Sequence, residues 1–241
     1  MADSARWEGF PFRNGDIVIS TPSKCGTTWM QMICALLVFQ TTDFNPPLTE
    51  ISPWLDMDAF FAARRKAVGL EDLNELLPDG PQPLPPTEIE RFWQWVDDPM
   101  PANKSPNSLA LLLHHVRTFW PATSGAPNLV LLHYDDLRAD LHGQMCYLSR
   151  RLGIDVPAQR WPELVPAARF GEMRRRADDL VPNRHDALWH DKVKFFHRGT
   201  SGQWHTRLNE DDLRRYDLRV AELGDPEVAG WVHRDQVRQD L

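Results

Sequence analysis

The stretch Thr21-Pro22-Ser23-Lys24-Cys25-Gly26-Thr27-Thr28-Trp29 decides how this chain is read. It follows the β-branched apolar run Asp16-Ile17-Val18-Ile19-Ser20, which predicts a buried strand. It precedes Met30, Ile33, Cys34, Leu37 and Val38, whose spacing predicts a helix. The stretch is therefore a loop feeding a helix N-terminus. Backbone N–H groups there have no intrahelical partner and the helix dipole is positive, so amides can hold an anion while Lys24 adds a full charge.

Rival readings of the loop are weaker. An ordinary turn between strand and helix would use Gly26 and Thr27 as turn and cap, but leaves Lys24 and both threonines unexplained. A nucleoside-triphosphate loop places its lysine directly after the second glycine, whereas Lys24 precedes Gly26. A cysteine phosphatase would use Cys25 as a thiolate at the helix start, with an arginine six positions on, where this chain has Gln31.

A second stretch, Phe195-Phe196-His197-Arg198-Gly199-Thr200-Ser201-Gly202-Gln203-Trp204, sets two glycines three apart beside a cation. That composition suits a backbone turning tightly round an anion, with Arg198 as a fork-shaped donor; read alone, it is equally a surface loop. Between the two lies Asn128-Leu129-Val130-Leu131-Leu132-His133-Tyr134, which predicts a second buried strand. Asp135-Asp136-Leu137 then opens a long helix closing near Gly153.

The run Lys24-Cys25-Gly26-Thr27-Thr28-Trp29 closely resembles the Lys-Ser-Gly-Thr-Thr-Trp loop of the cytosolic sulfotransferase family. His197-Arg198-Gly199-x-x-Gly202-Gln203-Trp204 resembles that family's Arg-Lys-Gly-x-x-Gly-Asp-Trp, and Tyr134-Asp135-Asp136-Leu137 its Tyr-Glu-Asp-Leu. Phe170-x-x-Met173 resembles its Thr-Ser-Phe-x-x-Met, with Ala168 at the threonine position. The resemblance covers roughly residues 15–57 and 107–235, in the family's order. It implies an α/β fold, a parallel β-sheet flanked by helices of the P-loop-like sulfotransferase type, in one domain over residues 1–241.

It also implies that the co-substrate is 3′-phosphoadenosine 5′-phosphosulfate (PAPS), with PAP as product. Lys24, Cys25, Gly26, Thr27 and Thr28 then surround the 5′-phosphate, and Trp29 stacks on adenine. Tyr134, Phe170 and Met173 contact the base, while His197, Arg198 and Gly199 grip the 3′-phosphate. Lys24 is the catalytic candidate, meeting the charge that develops on the bridging oxygen of the leaving phosphate. No metal is required if Lys24 and the amides suffice. Cys25 replaces the usual serine, and His197 makes one charge of the second stretch pH-dependent. Phe and Met at the spacing of Phe170 and Met173 also suit a helix core.

Two family elements are missing: a Lys-x-His strand end whose histidine is the catalytic base, and a later strand ending in arginine, with a serine on the next helix, for the 3′-phosphate. After Ser52-Pro53-Trp54-Leu55-Asp56-Met57 the chain passes straight to the helical, charged stretch Asp58–Lys66. Strand counting agrees, because two buried strands fall short of the about four to six usual in an open sheet. The shortfall is on the order of 40 residues, expected between Trp54 and Asp58.

Composition bounds the remaining classes. A chain of 241 residues can build one α/β domain with a full core. The run Pro78–Pro86 reads as a loop or lid, and Thr87-Glu88-Ile89-Glu90 as a capping box. No apolar run reaches membrane length, and Met1-Ala2-Asp3-Ser4 lacks signal-peptide character. Cys25, Cys34 and Cys146 are odd in number and widely spaced, which predicts reduced thiols and the cytoplasm. A net charge of −7 disfavours nucleic-acid binding, and Arg174-Arg175-Arg176 is balanced by Asp178-Asp179. Adjacent His114 and His115 point about 100° apart on a helix, which disfavours a shared metal.

Three functions follow: sulfuryl transfer from PAPS to a hydroxyl or amine of a small, hydrophobic acceptor; binding of PAPS or PAP without catalysis; or phosphotransfer on a related fold. Apolar residues in Pro46–Trp54 and Pro78–Pro86 point to the hydrophobic acceptor.

Overall fold

A computed structural model describes residues 8–53, 85–105, 107–180 and 199–234. Helix α1 runs over Thr27–Phe39, α2 over Leu48–Ile51, α3 over Glu88–Val96 and α4 over Leu109–Phe119. Helices α5 (Tyr134–Ala139), α6 (Leu141–Arg151), α7 (Trp161–Ala167), α8 (Phe170–Arg175) and α9 (Ala177–Leu180) follow. Two more, α10 (Glu210–Leu223) and α11 (Pro226–Val232), end the described chain.

Local chemistry sets most helix ends. Thr87 and Glu90 form the expected capping box at the start of α3. The Ser108 hydroxyl caps α4 by accepting from the Leu111 amide at 3.1 Å. Asn209 and Asp212 form a second reciprocal box at α10.

Two apolar clusters organise the molecule. In the first, the α1 residues Met32, Ile33, Leu36 and Leu37 pack with Leu137, Met145, Leu148, Leu164, Met173 and Leu180. In the second, Val96, Leu109, Leu113 and Val116 of α3 and α4 meet Tyr216, Val220 and Val228 of α10 and α11. Ile33, Cys34 and Leu37 of the expected face of α1 are buried, but burial extends beyond it to Met32, Ala35 and Leu36, while Val38 is exposed. The neighbours α6 and α7 cover more of this largely apolar helix than one stripe.

Neither expected strand forms a ladder, and no strand occurs among the described residues. Ile17 and Val18 are exposed at 37 % and 52 %, and only Ile19 of that run packs against the first cluster. A strand is completed by hydrogen bonds from a neighbour, which β-branched composition cannot supply. Residues 129–133 are irregular, with Val130 and Leu132 leaning on the first cluster.

Tyr134, expected at a strand end, is the first residue of α5. The single long helix expected to close near Gly153 is two helices broken at Asp140. That residue ends α5 and caps α6, its carboxylate accepting from the Gly143 amide at 2.8 Å. Asp-x-x-Gly was a readable cap signal. The expected helical stretch Asp58–Lys66 and most of the loop Pro78–Pro86 lie outside the described residues, as do His197 and Arg198.

Candidate functional site

The loop ahead of α1 turns through two left-handed residues, Lys24 at φ 64° and Gly26 at φ 94°. Lysine pays a steric cost in that region that glycine does not. The Cys25 amide donates to the Pro22 carbonyl at 3.2 Å, closing the turn. Gly26 is the N-cap of α1, and it offers no side-chain cap. The first amides of a thirteen-residue helix are thus left without a capping side chain. The Thr27 hydroxyl pairs with that of Thr21. The Thr28 hydroxyl oxygen is buried and has no hydrogen-bond partner among the described residues. An uncapped helix start, an orphaned hydroxyl and a lysine together can hold an anion.

Surrounding protein withdraws water from part of the Lys24 side chain and lowers its pKa, although its surface remains exposed. The same desolvation raises the pKa of the Cys25 thiol. A nucleophilic cysteine needs the opposite shift.

Trp29 extends from the first turn of α1 and donates from Nε1 to the Ala168 carbonyl at 2.8 Å. Its ring meets Tyr134 edge to face, with centroids 5.3 Å apart. A side chain at residue 26 would sit 3.7 Å from Tyr134. Phe170, at the start of α8 just beyond Ala168, packs over Gly199, whose φ is 62°. The Ser201 hydroxyl donates to the Asp135 carboxylate, joining the second glycine stretch to α5. Gly26 and Trp29 thus meet at Tyr134, while Phe170, two residues after the Ala168 that Trp29 bonds, covers Gly199. Met173 differs: it is 1 % exposed within the first cluster, so its position is that of a core residue.

On the other side of Lys24 lies an open cleft of about 290 Å³, lined by residues Pro22–Cys25 and by Trp95, Asn107, Ser108, Leu111 and Leu112. Helices α3 and α4 supply its apolar wall. Trp95 is held by an Nε1 bond to Asn107 Oδ1 at 3.2 Å. Sequence reasoning missed this wall, although the 3–4 residue spacing of Ser108, Leu111 and Leu112 on a predicted helix would have shown one face.

The model of the sulfotransferase domain matches residues 14–84 and 80–225. The chain belongs to the sulfotransferase family. This sulfotransferase is 31 % identical over 305 residues to a glycolipid sulfotransferase of Mycobacterium bovis (strain BCG), covering 97 % of this chain and 92 % of the relative. It is 31 % identical over 304 residues, with the same coverage, to a glycolipid sulfotransferase of Mycobacterium tuberculosis (strain H37Rv). A crystal structure of mouse sulfotransferase SULT7A1 complexed with PAP superposes with a TM-score of 0.60 at 14 % identity, covering 96 % of this chain and 91 % of that one. The fold is thus that of a sulfotransferase.

The alignment to the first relative runs over 305 positions and this sulfotransferase has 241 residues, so at least 64 positions lack a counterpart here. The two matched stretches overlap at residues 80–84, which moves the break in the family pattern away from Trp54–Asp58.

Proposed function

We propose that this chain transfers a sulfuryl group from PAPS to a hydroxyl or amine of a small hydrophobic acceptor, the reading carried by the uncapped start of α1, whose first turn holds the unpartnered Thr28 hydroxyl and follows directly on the Lys24 loop. Lys24, Cys25, Gly26, Thr27 and Thr28 hold the 5′-phosphate end, and Trp29, Tyr134 and Phe170 border the adenine. Gly199, with His197 and Arg198 of the same stretch, receives the 3′-phosphate. Met173 contributes through the core behind Phe170. Support comes from the fold shared with a sulfotransferase whose structure was determined with PAP, and from relatives that act on glycolipids. The apolar wall of Trp95, Leu111 and Leu112 suits an acceptor with a lipid or aromatic portion.

The chemistry is mainly positioning. Helix amides and Lys24 orient the group being transferred, and the Lys24 ammonium offsets the charge that collects on the leaving phosphate. The partial desolvation that lowers the Lys24 pKa also strengthens its attraction for that charge. One domain over residues 1–241, a parallel β-sheet flanked by helices, and a cytoplasmic location for a chain with three free thiols complete this reading.

A second reading, nucleotide binding without catalysis, is favoured by one observation: the Lys-x-His element has no match, and relatives carry at least 64 positions that this chain lacks. Calorimetry with PAP against ATP tests nucleotide choice, and ATP preference would defeat both readings. Labelled product from PAPS and octyl β-glucoside, a simple glycolipid, separates them: product supports transfer, and its absence in a PAP-binding chain supports the second.

A further inference from the structure

We propose that His115 takes up the proton of the acceptor hydroxyl, an assignment that rests on the sulfuryl-transfer reading. Leu111 and Leu112 lie three and four residues after Ser108, the N-cap of α4, and His115 lies four and three residues after them, so the four share a face. The first three line the cleft that holds Lys24. His115 extends this face by one turn, and its Nε2 lies 3.4 Å from the Ser20 hydroxyl, in the segment that runs directly into the Lys24 loop.

The other described histidines are committed elsewhere. His133 bonds the Val232 carbonyl and caps α5. His142 packs on Trp161, and His205 stacks on Trp204. His233 is held by Tyr216 and the Ala229 carbonyl. His114 bonds Arg117 and lines a different cleft, beside Asp98 and Arg219. His115 is the described histidine that contacts the chain leading to the phosphate loop.

Its surroundings suit a base. Partial burial lowers its pKa, and the adjacent His114 acts in the same direction, while a hydrogen bond to the Ser20 backbone opposes them. Lys24 is the cation lining the adjoining cleft, and the Phe119 ring lies 5.3 Å away on α4. A neutral imidazole at neutral pH can accept a proton, whereas an imidazolium cannot.

In the step itself the acceptor O–H bond breaks and its proton passes to Nε2, directly or through the Ser20 hydroxyl. The oxygen's electron pair forms the new O–S bond. The S–O bond to the 5′-phosphate breaks, its electron pair staying on the phosphate oxygen opposite Lys24. The imidazolium then releases its proton to solvent.

The test compares two acceptors in His115→Gln. An alkyl alcohol, octyl β-glucoside, needs a base; 4-nitrophenol at mildly alkaline pH is already ionised and does not. The variant should lose about a hundredfold or more in kcat with the glucoside, while 4-nitrophenol turnover changes only a few-fold. Equal losses with both acceptors, or no loss with the glucoside, would overturn the assignment. PAP affinity by calorimetry should match the parent, showing that the fold and nucleotide site are intact. If the parent binds PAP but transfers to neither acceptor, the assignment falls; if the parent fails to bind PAP, the nucleotide reading itself falls.

Discussion

Phe170 occupies the space that any side chain at residue 199 would need. A Cβ built on Gly199 would lie 2.5 Å from Phe170 Cγ, and the backbone there has φ 62°. One ring thus ties the second glycine stretch to α8, which also receives the chain from the Ala168 carbonyl bonded by Trp29.

Gly199→Ala should disturb this junction without touching the core. Left-handed strain costs about 1–3 kcal/mol, and the clash forces Phe170 aside. PAP affinity is expected to fall about tenfold or more, with a small change in Tm. Calorimetry that finds PAP affinity unchanged would separate Gly199 from the nucleotide site.

Lys24→Ala should leave PAP binding within about tenfold of the parent and lower kcat by about a hundredfold or more, as loss of one preorganised charge donor does. Lys24→Arg should recover little, because the planar guanidinium differs in length and shape from a compact ammonium held on a left-handed backbone. Unchanged turnover in Lys24→Ala would remove the assignment.

Cys25 is exposed at the surface, yet the protein around its thiol withdraws enough water to hold its pKa above the usual value. Alkylation by iodoacetamide near neutral pH should be slower than for glutathione, and PAP should slow it further. Cys25→Ser restores a hydroxyl donor at the phosphate loop. PAP binding in that variant is expected to equal or exceed the parent's by a few-fold; a large loss would show that the sulfur itself matters.

Burial depresses His233, whose unfolded value is 6.5. The unfolded chain binds the proton more readily, so this group's contribution to stability is full above about pH 6.5 and declines as pH falls through 6.5 toward the lower folded value. Denaturant unfolding between pH 5 and 8 should show stability falling on acidification. His233→Gln should flatten that slope, at the expense of the 2.8 Å bond to the Tyr216 hydroxyl. A slope identical in parent and variant would assign the pH dependence to other groups.

The sequence by itself determined what is settled within a few residues: the loop turning at Gly26 into α1, the Thr87–Glu90 box and the helix carrying His114 and His115. Each depends on hydrogen bonds between near neighbours, which local residue types dictate. Tertiary structure alone decided how far burial spreads round α1, to Met32, Ala35 and Leu36, and that Asp16–Ser20 and residues 129–133 find no ladder partner among the described residues. It also sent Met173 into the core, set Phe170 over Gly199 and brought His115 to Ser20, 95 residues away. Strand pairing and packing are made between segments far apart in the chain, so the pattern of either segment alone does not contain them.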